Sequence, residues 1–368
     1  MIRAVLVDDE PPARVRMRQL LEAAGDVTIV GEAGSAMEAR EVIRHTRPDL
    51  VFLDVEMPEV RGTALAAELP EPRPFIVFAT AFDHYALEAI AVEATDYLLK
   101  PVSRAKLAVT LDRVRARVAT QHIDRDIEAA TRVQSHMWPG ALPHIPGFDC
   151  AAASLPARGV GGDFYDAFPI AGSSWALLLG DASGKGVAAA LVASAVQARV
   201  NTAARLARLE PAALMAAVDR DVYGTTDGAR YATAIYAVLD SGTGQLTLIN
   251  AGHPAALLIG SAFTRRVDAT GPALGLLENG SFGAAIHVLT PDSLFVAYTD
   301  GVSEALDEQE EEFGEARLLA VIEAERHQHA AQICAAVLDA VRAHRGPRQD
   351  QDDVTVMVVK RSDDLVSR

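Results

Sequence analysis

The sequence predicts two unlike folded regions in one chain, a doubly wound α/β sheet followed by an α+β region. From residue 2 to about 118, short apolar runs alternate with segments whose apolar residues recur at helical spacing. This alternation predicts a five-stranded parallel sheet with helices on both faces. From about residue 148 onward, strand-like runs are grouped together and two long helical stretches interrupt them, which predicts packed sheets flanked by helices.

The five strands of the first region are assigned to its five apolar runs. Segments such as ARVRMRQLLEAAG and AMEAREVIRHT, which lie between the runs, carry the helical spacing. In parallel sheets of this class, functional residues gather at the carboxyl ends of the strands. The runs are IRAVLVDD (2–9), VTIVGEA (27–33), LVFLDVE (50–56), FIVFATA (75–81) and DYLLK (96–100).

Polar side chains stand at the ends of four of these strands. Three carboxylates at one sheet edge repel each other unless a cation lies among them, and Mg²⁺ prefers such oxygen ligands. A lysine and a hydroxyl nearby could hold the oxygens of a phosphoryl group attached to one carboxylate. The residues concerned are Asp8, Asp9, Asp54, Thr80 and Lys100.

Four stretches of this region together resemble a known family. VLVDDEPPAR, VFLDVEMPEVRG, FATA and DYLLKPV follow the order and spacing of the receiver domain of two-component response regulators. The resemblance implies that Asp54 is the phosphoacceptor, and that Asp8, Asp9, Asp54 and the Glu56 carbonyl hold Mg²⁺.

The same resemblance gives roles to the other residues of this edge and names a partner. It implies that Thr80 and Lys100 contact the phosphoryl group, and that Tyr97 is the aromatic residue that changes rotamer on activation. A sensor histidine kinase, a phosphotransfer protein or a small phosphodonor would phosphorylate Asp54.

A helical segment over about residues 104–139 carries two apolar stripes that are out of register with each other. One interpretation is two helices, or one helix with two packing faces. The other is a linker helix that pairs with its copy in a homodimer, although two short stripes are far below the sustained heptads of a coiled coil. The stripes are Leu107, Leu111, Val114 and Val118, then Ile123, Ile127, Ala130 and Val133.

Aspartates next to glycine or other small residues recur at four strand or loop junctions of the second region. Small neighbours let the backbone and a metal approach closely. Four such carboxylates could bind two divalent ions, which lower the pKa of a bridging water and clamp the oxygens of a phosphoryl group. No Cys or Ser nucleophile with a paired His is evident, so attack by metal-bound hydroxide is favoured over a covalent intermediate. The aspartates are Asp163 in GGDFYD (161–166), Asp181 in LLLGDASGKG (177–186), Asp300 in AYTDGVSEA (297–305) and Asp352 in QDDVTVMVV (351–359).

Two other phosphate-related motifs are excluded, the first by its spacing and its missing hydroxyl and the second by the residue after its aspartate. A nucleotide-binding P-loop needs four residues between its glycines and a hydroxyl after its lysine, but three residues separate Gly180 from Gly184 and Gly186 stands at the hydroxyl position. The GGDEF turn of cyclic-dinucleotide synthases needs an acid directly after its aspartate, whereas Phe164 follows the aspartate of GGDFYD.

The four aspartate motifs, in this order, resemble the metal-dependent Ser/Thr protein phosphatases of the PPM family, and more narrowly its bacterial SpoIIE/RsbU branch. The lead-in IEAATRVQSHMWPGALPHIPGF and the stretch PARGVGGDFYDAF are typical of that branch. The resemblance implies a sandwich of two antiparallel sheets with helices outside. It divides the chain into a receiver domain (1–119), a helical linker and candidate dimerisation segment (120–145) and a phosphatase domain (146–361).

This second resemblance also implies a ligand set for two Mn²⁺ or Mg²⁺ ions, since oxygen-only ligands suit both metals. Asp181 would bridge the ions, the Ala182 carbonyl would add a ligand, and each of the other three motif aspartates would contact one ion. Asp353 stands where a neutral Asn is common in relatives, so the assignment of Asp352 carries a one-residue ambiguity.

Three further polar residues near these motifs are left outside the predicted site. Lys185 is either a solvated turn residue or a residue that faces an incoming phosphoprotein. Asn250 and His253, in INAGHPAAL, match a stretch of the family and are interpreted as structural.

Composition restricts the partners and the compartment. A formal net charge of −16 argues against a broad nucleic-acid-binding surface. Cys150 and Cys334 form no disulfide framework, which favours a reducing cytosol. The N-terminus does not read as a signal peptide, and no apolar stretch approaches the roughly 20 residues that span a bilayer. We therefore expect a soluble cytoplasmic protein without nucleic-acid or membrane partners.

The two halves together predict a response regulator in which phosphorylation of Asp54 controls a metal-dependent protein Ser/Thr phosphatase. In the SpoIIE/RsbU branch the substrate is usually an anti-sigma-factor antagonist of the STAS type, which would link the signal to sigma-factor activity. The alternative is a phosphorylation-gated protein whose phosphatase domain sequesters a partner without turnover. Hydrolysis of a small phosphorylated molecule is a third interpretation, because substrate choice lies in the loops around the metal ligands.

Overall fold

The computed structural model describes residues 1–81, 92, 94–157, 159–207, 209–226, 228–347 and 352–362. The chain divides into two compact units, Met1–Asp126 and Ile127–Arg368, and each is described by itself. Of the stretches used above, Arg158 in PARGVGGDFYDAF and Gln351 in the last motif lie outside the described residues.

The first unit contains one sheet of five strands in the order β2-β1-β3-β4-β5. All neighbouring strands pair in parallel, so the predicted doubly wound sheet is confirmed. The sheet places β1 beside β3, and the carboxyl ends of all its strands point to one edge. The strands are β1 (Ile2–Val7), β2 (Val27–Ala33), β3 (Leu50–Leu53), β4 (Phe75–Thr80) and β5 (Asp96–Leu99).

Helices cover both faces of this sheet because its strands are apolar on both sides. The described helices are α1 (Pro11–Glu22), α2 (Ala36–Thr46), α3 (Gly62–Glu68) and α4 (Arg104–Met137). On one face Leu6 and Phe52 pack in a core with Leu21 of α1 and Leu111 of α4. On the other face Phe78 packs with side chains of α2 and α3.

Helix α4 is continuous over both predicted stripes and crosses the boundary between the two units. The four residues of the first stripe are buried in the core of the first unit. In the second stripe Ile123 and Val133 are 58% and 65% exposed, whereas Ile127 and Ala130 are half-buried. The helical segment is therefore one continuous helix with one fully buried stripe, and pairing with a second copy stays a prediction.

The second unit contains two five-stranded sheets in which all neighbouring strands are antiparallel. Their strand orders are β13-β10-β9-β8-β7 and β12-β11-β14-β15-β6. The strands are β6 (Phe148–Leu155), β7 (Asp163–Ala171), β8 (Ser174–Ala182), β9 (Ala232–Asp240), β10 (Gln245–Ala251), β11 (Ala256–Ile259), β12 (Thr264–Val267), β13 (Ala285–Val288), β14 (Leu294–Tyr298) and β15 (Val354–Arg361).

The inner faces of the two sheets form one core. Leu177, Leu179 and Ile235 of the first sheet pack in a cluster with Phe295 and Met357 of the second. Each outer face packs against helices in a cluster of its own. This arrangement confirms the sandwich of two antiparallel sheets that the family resemblance implies.

Each of the two long helical stretches predicted in this unit is a pair of helices instead of one. Pro211 begins the second helix of the first pair, and its ring is tolerated only in the first turn of a helix. His329 caps the second helix of the other pair. The helices are α5 (Val187–Leu206), α6 (Pro211–Thr226), the short α7 (Asp300–Ser303), α8 (Gly314–Glu325) and α9 (Ala330–Arg345).

Helix α5 corrects one expectation about membrane segments. Its 20 residues are long and apolar enough to cross a bilayer by length and composition, so the statement that no stretch approaches this length is wrong. The helix packs against β7 and β8, and seven of its residues are buried there, including Val196 and Val200. A core helix of this kind meets the same criteria as a membrane span.

Candidate functional site

The first unit gathers its polar strand ends at one edge, as expected for parallel strands. Asp8 follows β1, Asp54 follows β3, Thr80 ends β4 and Lys100 follows β5. The Lys100 Nζ atom lies 2.6 Å from Asp54 Oδ2 and 2.7 Å from Asp8 Oδ2. The ammonium group therefore bridges two buried carboxylates.

The acidic residues at this edge form a set that suits a divalent cation. One carboxylate oxygen from each of Asp8, Asp9 and Asp54 can be chosen so that all three lie within 4.8 Å of one another. Thr80 is fully buried, and its Oγ1 has no hydrogen-bond partner within the described ranges. Oxygen donors this close together match the ligands that Mg²⁺ prefers, and the unpaired hydroxyl can donate to an added phosphoryl oxygen.

The electrostatics of this edge follow from its burial. Burial raises the pKa of Asp54 and the charge of Asp8 adds to the rise, while the hydrogen bond from Lys100 opposes both. Burial acts to lower the pKa of Lys100, but its hydrogen bonds to Asp54 and Asp8 outweigh this and raise it. Lys100 therefore stays charged among the carboxylates.

Two further residues of the first prediction lie next to this edge. The Glu56 N–H donates to Asp54 Oδ1 at 3.2 Å, so the segment after β3 turns back toward the carboxylate. Tyr97 lies in β5, paired with Phe78 of β4, and its side chain is half-buried against the core.

In the second unit the four motif aspartates lie in or next to the ends of paired strands of the two sheets. Asp163 and Asp181 are direct partners in the β7/β8 pair. Asp300 begins α7, directly after β14, and Asp352 immediately precedes Asp353 and β15. Because β14 and β15 are also paired, each sheet contributes one pair of acidic strand ends.

Asp163 joins the two sheets. It is 2% exposed, and its Oδ2 accepts hydrogen bonds from the hydroxyls of Thr355 at 2.6 Å and Thr299 at 2.8 Å. Burial raises its pKa well above the usual range, and the nearby charge of Asp181 adds to the rise. Neither threonine was expected at the site from the sequence, although Thr299 is next to Asp300 and Thr355 is three residues after Asp352.

Asp352 and Asp353 have different surroundings. The Asp353 carboxylate is buried and accepts from the N–H groups of Ala157 at 2.7 Å and Gly162 at 2.9 Å. The Asp352 side chain is 52% exposed, and its Oδ2 lies 3.2 Å from Lys185 Nζ. The Asp353 carboxylate is thus engaged by two backbone N–H groups, whereas the Asp352 carboxylate can exchange Lys185 for another cation.

Asp181 lies where an incoming cation would meet oxygen atoms. A Cβ added to Gly162 would stand 2.8 Å from both Asp181 Oδ1 and the Ala182 carbonyl oxygen, so the two oxygens face the same small space. Burial raises the pKa of Asp181 to about 7, and the charges of Asp300, Asp352 and Asp353 add to the rise. Burial and Asp352 likewise raise the pKa of Asp300.

This set of acidic oxygens suits hard divalent ions, because mutual repulsion is relieved when a cation binds among the carboxylates. The spacing is wider than in the first unit. Within the described part of the chain, Asp8, Asp9 and Asp54 are the only acidic trio whose ligand atoms all lie within 4.8 Å.

A buried arginine that the sequence analysis missed supports two of the acidic segments. Arg345, near the end of α9, is 8% exposed, and its Nη2 donates to the carbonyls of Gly301 and Asp352 at 3.0 Å each. It therefore fixes the segment after Asp300 to the segment that carries Asp352. Only the three-dimensional contact identifies it, because the surrounding helix pattern is ordinary.

Asn250 and His253 are both buried in a hydrogen-bond network, and their interpretation as structural residues stays a prediction. The ring of His253 lies between the Thr233 hydroxyl at 2.8 Å and the Tyr298 carbonyl at 3.0 Å, and the backbone N–H of His253 donates to Asn250 Oδ1 at 2.8 Å. Complete burial lowers the pKa of His253 to about 3, so the ring stays neutral at physiological pH.

Comparison with protein families gives two matches that divide the chain as the structure does. The family model for stage II sporulation protein E (SpoIIE) matches residues 171–362, just over half of the chain. This chain belongs to the SpoIIE family. The model for the response regulator receiver domain matches residues 4–112. The predicted combination of a receiver domain with a SpoIIE-type phosphatase domain of the PPM class is thereby confirmed.

Curated relatives match the first half of the SpoIIE-family chain. The transcriptional regulatory protein BtsR is 46% identical over 124 residues in Salmonella typhi and 45% identical over 124 residues in Escherichia coli K12. Each match covers 33% of this chain and 52% of BtsR. An uncharacterized response regulatory protein of Yersinia pestis is 42% identical over 147 residues, which is 40% of this chain and 58% of the relative. The chain thus spans about half the length of the curated relatives it matches.

Solved structures match larger parts of the chain. The RsbU and RsbW domains of Rv1364c from Mycobacterium tuberculosis align with a TM-score of 0.52 at 27% identity, over 61% of this chain and 63% of that one. The SiaA-PP2C domain of Pseudomonas aeruginosa aligns with a TM-score of 0.58 at 20% identity, over 66% and 98%. The latter likeness shows the PP2C fold alone. Phosphatases of this class are metal-dependent, which agrees with the oxygen-rich site.

Proposed function

We propose that this protein is a response regulator whose output is the dephosphorylation of phosphoserine or phosphothreonine on a protein. The observation that carries the proposal is the convergence of Asp163, Asp181, Asp300 and Asp352 in a PPM-type domain, where burial and neighbouring acids raise the pKa of Asp181 to about 7. Carboxylates held in this way are ready to exchange protons for cations near neutral pH.

In this proposal Asp181 and the Ala182 carbonyl would contribute oxygens at the centre of the site. Together with Asp163, Asp300 and Asp352 they would hold two Mn²⁺ or Mg²⁺ ions. When bound, the ions supply a water that ionises near neutral pH and offset the charge of the phosphoryl group. Asp353 and Arg345 hold the ligand-bearing segments in place through backbone contacts.

The input is phosphorylation of Asp54 by a sensor histidine kinase, a phosphotransfer protein or a small phosphodonor. Asp8, Asp9, Asp54 and the Glu56 carbonyl would hold Mg²⁺ beside the acceptor. The contact between Lys100 and Asp54 supports the proposal, because that ammonium can stay with the oxygens once they are phosphorylated. Thr80 would donate its unpaired hydroxyl, and Tyr97 would change rotamer.

Helix α4 is the proposed connection between input and output. It begins in the receiver core and continues into the second unit without a break in its hydrogen bonding. The exposed Ile123 and Val133 support pairing of this segment in a homodimer. The proposed boundaries are 1–119 for the receiver domain, 120–145 for the linker and 146–361 for the phosphatase domain.

The proposed substrate is a phosphorylated anti-sigma-factor antagonist of the STAS type, so that the signal reaches sigma-factor activity. Membership of the SpoIIE family and the likeness to an RsbU domain support this choice. We place this activity in the cytoplasm. Cys150 and Cys334 are both free, and burial raises the pKa of each thiol to about 12, so neither depends on an oxidising compartment.

The test is hydrolysis of p-nitrophenyl phosphate in Mn²⁺ by the full chain and by Asp181→Asn. Asp221→Asn, which changes an exposed aspartate of α6, is the matched control. We expect hydrolysis by the wild type and the control, and a loss of at least a hundredfold for Asp181→Asn. If Asp181→Asn hydrolysed the ester as fast as the control, the proposed site would be wrong. If that variant still signalled normally in cells, the sequestering alternative would replace the enzyme.

A further inference from the structure

The glycine-rich turn Ser183–Gly186 joins β8 to α5 directly after Asp181 and Ala182. Its backbone is fixed to the chain that leads into β9. The Ser183 N–H donates to the Tyr231 carbonyl at 2.8 Å, and the Tyr231 N–H donates to the Ser183 hydroxyl at 3.1 Å. Two cationic side chains lie on this fixed turn, Lys185 within it and Arg230 from the residue before Tyr231.

Arg230 lies across the turn. Its Nη1 donates to the Ser183 carbonyl at 3.3 Å. Gly184 makes this position available, because a Cβ at Gly184 would stand 2.5 Å from the same Nη1 atom. The φ of Gly184 is +94°, which also favours glycine. The guanidinium of Arg230 can therefore take this position only because residue 184 is a glycine.

Arg230 keeps most of its donors for another partner. A guanidinium has five N–H donors, and the bond to Ser183 uses one of them. Across the described residues, no carboxylate lies within ion-pair distance of Arg230, although the chain has 50 acidic residues against 34 lysines and arginines. The side chain is half-buried and held by its bond to the Ser183 carbonyl, and no acidic partner is found for its charge within the described part of the chain.

Lys185 is the second cation, and its partner is exchangeable. Its Nζ lies 3.2 Å from Asp352 Oδ2, with side-chain exposures of 68% and 52%. Ion pairs this exposed contribute little, because water and salt screen them. The ammonium group is therefore close to the acidic centre and can leave Asp352 at little cost.

A phosphoryl ester that enters this site needs such cations. The strand ends carry Asp163, Asp181, Asp300 and the Asp352–Asp353 pair, and bound divalent ions would offset only part of this negative charge. A guanidinium matches two phosphoryl oxygens with two parallel N–H bonds, and an ammonium adds a point charge.

We propose that Arg230 and Lys185 form the phosphoryl-binding element of this site, with Arg230 as the fixed member and Lys185 as the exchangeable member. This inference rests on the proposed phosphatase function and adds the residues that bind the substrate's phosphoryl group. Both side chains are then substrate-binding residues.

The experiment measures KM and kcat for p-nitrophenyl phosphate, together with the inhibition constant of inorganic phosphate, for the full chain and its variants. Arg230→Met should raise the inhibition constant about tenfold, the effect of one lost charge-assisted pair. Lys185→Met should raise it roughly threefold, because that side chain is more exposed. Arg230→Lys should give an intermediate value. Arg220→Met, at an exposed position of α6, is the control and should change nothing.

A ³¹P NMR titration of inorganic phosphate in Mg²⁺ gives a second readout that does not require turnover. It should show the same order of affinities. Calorimetric titration of Mn²⁺ should show that Arg230→Met binds metal as the wild type does. Equal phosphate affinity for wild type, Arg230→Met and Lys185→Met would overturn the proposal. Weaker Mn²⁺ binding by Arg230→Met would also overturn it, because the arginine would then only support the turn that carries the metal ligands. If the wild type bound phosphate but hydrolysed no ester, the proposed phosphatase function would be wrong. The phosphate affinities of the variants would still show whether Arg230 and Lys185 bind the phosphoryl group.

Discussion

Asp353→Ala should show that Asp353 stabilises the fold, whereas the neighbouring Asp352 belongs to the metal site. The Asp353 carboxylate is 8% exposed and accepts two backbone N–H groups, from Ala157 at 2.7 Å and Gly162 at 2.9 Å. Hydrogen bonds to a charged group contribute about 1.5–3 kcal/mol each. Removing both should therefore lower the free energy of unfolding of the second unit by about 3 kcal/mol or more.

Asp352→Ala is the matched control for this prediction. The Asp352 side chain is 52% exposed, and it pairs with Lys185 and accepts the N–H of the adjacent Asp353 at 3.2 Å, so its loss should change the free energy of unfolding by less than about 0.5 kcal/mol. It should nevertheless remove hydrolysis and weaken Mn²⁺ binding, because the proposed site uses this carboxylate. Asp353→Asn should lie between the two alanine variants in stability, since an amide oxygen can still accept one of the two N–H groups.

Urea unfolding followed by tryptophan fluorescence is a selective assay for this comparison. The chain has two tryptophans, Trp138 and Trp175, and both belong to the second unit. A loss of 3 kcal/mol should move the unfolding midpoint by about 1 M urea or more. Equal midpoints for Asp353→Ala and wild type, or an equally large loss for Asp352→Ala, would refute the assignment.

Three other predictions test separate parts of the structure. Thr80→Val should leave the stability of the first unit unchanged or raise it slightly, because the buried hydroxyl has no partner among the described residues. It should nevertheless weaken beryllofluoride binding. Hydrogen exchange measures the stability and a beryllofluoride titration measures the binding, and normal binding would contradict the proposed contact of Thr80 with the phosphoryl group. Arg345→Met should lower the unfolding free energy of the second unit by about 2 kcal/mol, because it removes the hydrogen bonds to the carbonyls of Gly301 and Asp352. Arg345→Lys should lower it less. An unchanged urea midpoint for Arg345→Met would contradict this. The raised pKa of Asp181 predicts that the contribution of this group to the stability of the metal-free second unit is fully present below the usual value of 3.8 and is lost as pH rises through about 7. The dependence of the urea midpoint on pH should therefore differ between wild type and Asp181→Asn, and the same dependence in both would be inconsistent with the raised pKa.

The first unit could be predicted almost completely because its signals are local. Each apolar run coincides with a strand, and parallel pairing by itself carries Asp8, Asp54, Thr80 and Lys100 to one edge. The contacts of Lys100 with both acids follow from this topology. The continuity of α4 could not be predicted, because a change of helical phase is compatible with either one helix or two.

The second unit was less predictable because its site depends on contacts between distant segments. The motif aspartates could be found from their small neighbours, but the sequence could not distinguish Asp352 from Asp353. That distinction comes from the Ala157 and Gly162 amides, nearly 200 residues away. Arg345 and Thr299 were missed for the same reason, since each acts through a partner in another segment.

The central claim is that the receiver controls the phosphatase, and the most direct measurement is hydrolysis of p-nitrophenyl phosphate in Mn²⁺ with and without beryllofluoride. The wild type should change its rate when beryllofluoride is added, and Asp54→Asn should not, while both should depend on Asp181. A wild-type rate that is the same with and without beryllofluoride, under conditions where binding to the receiver is confirmed, would contradict control of this activity through Asp54.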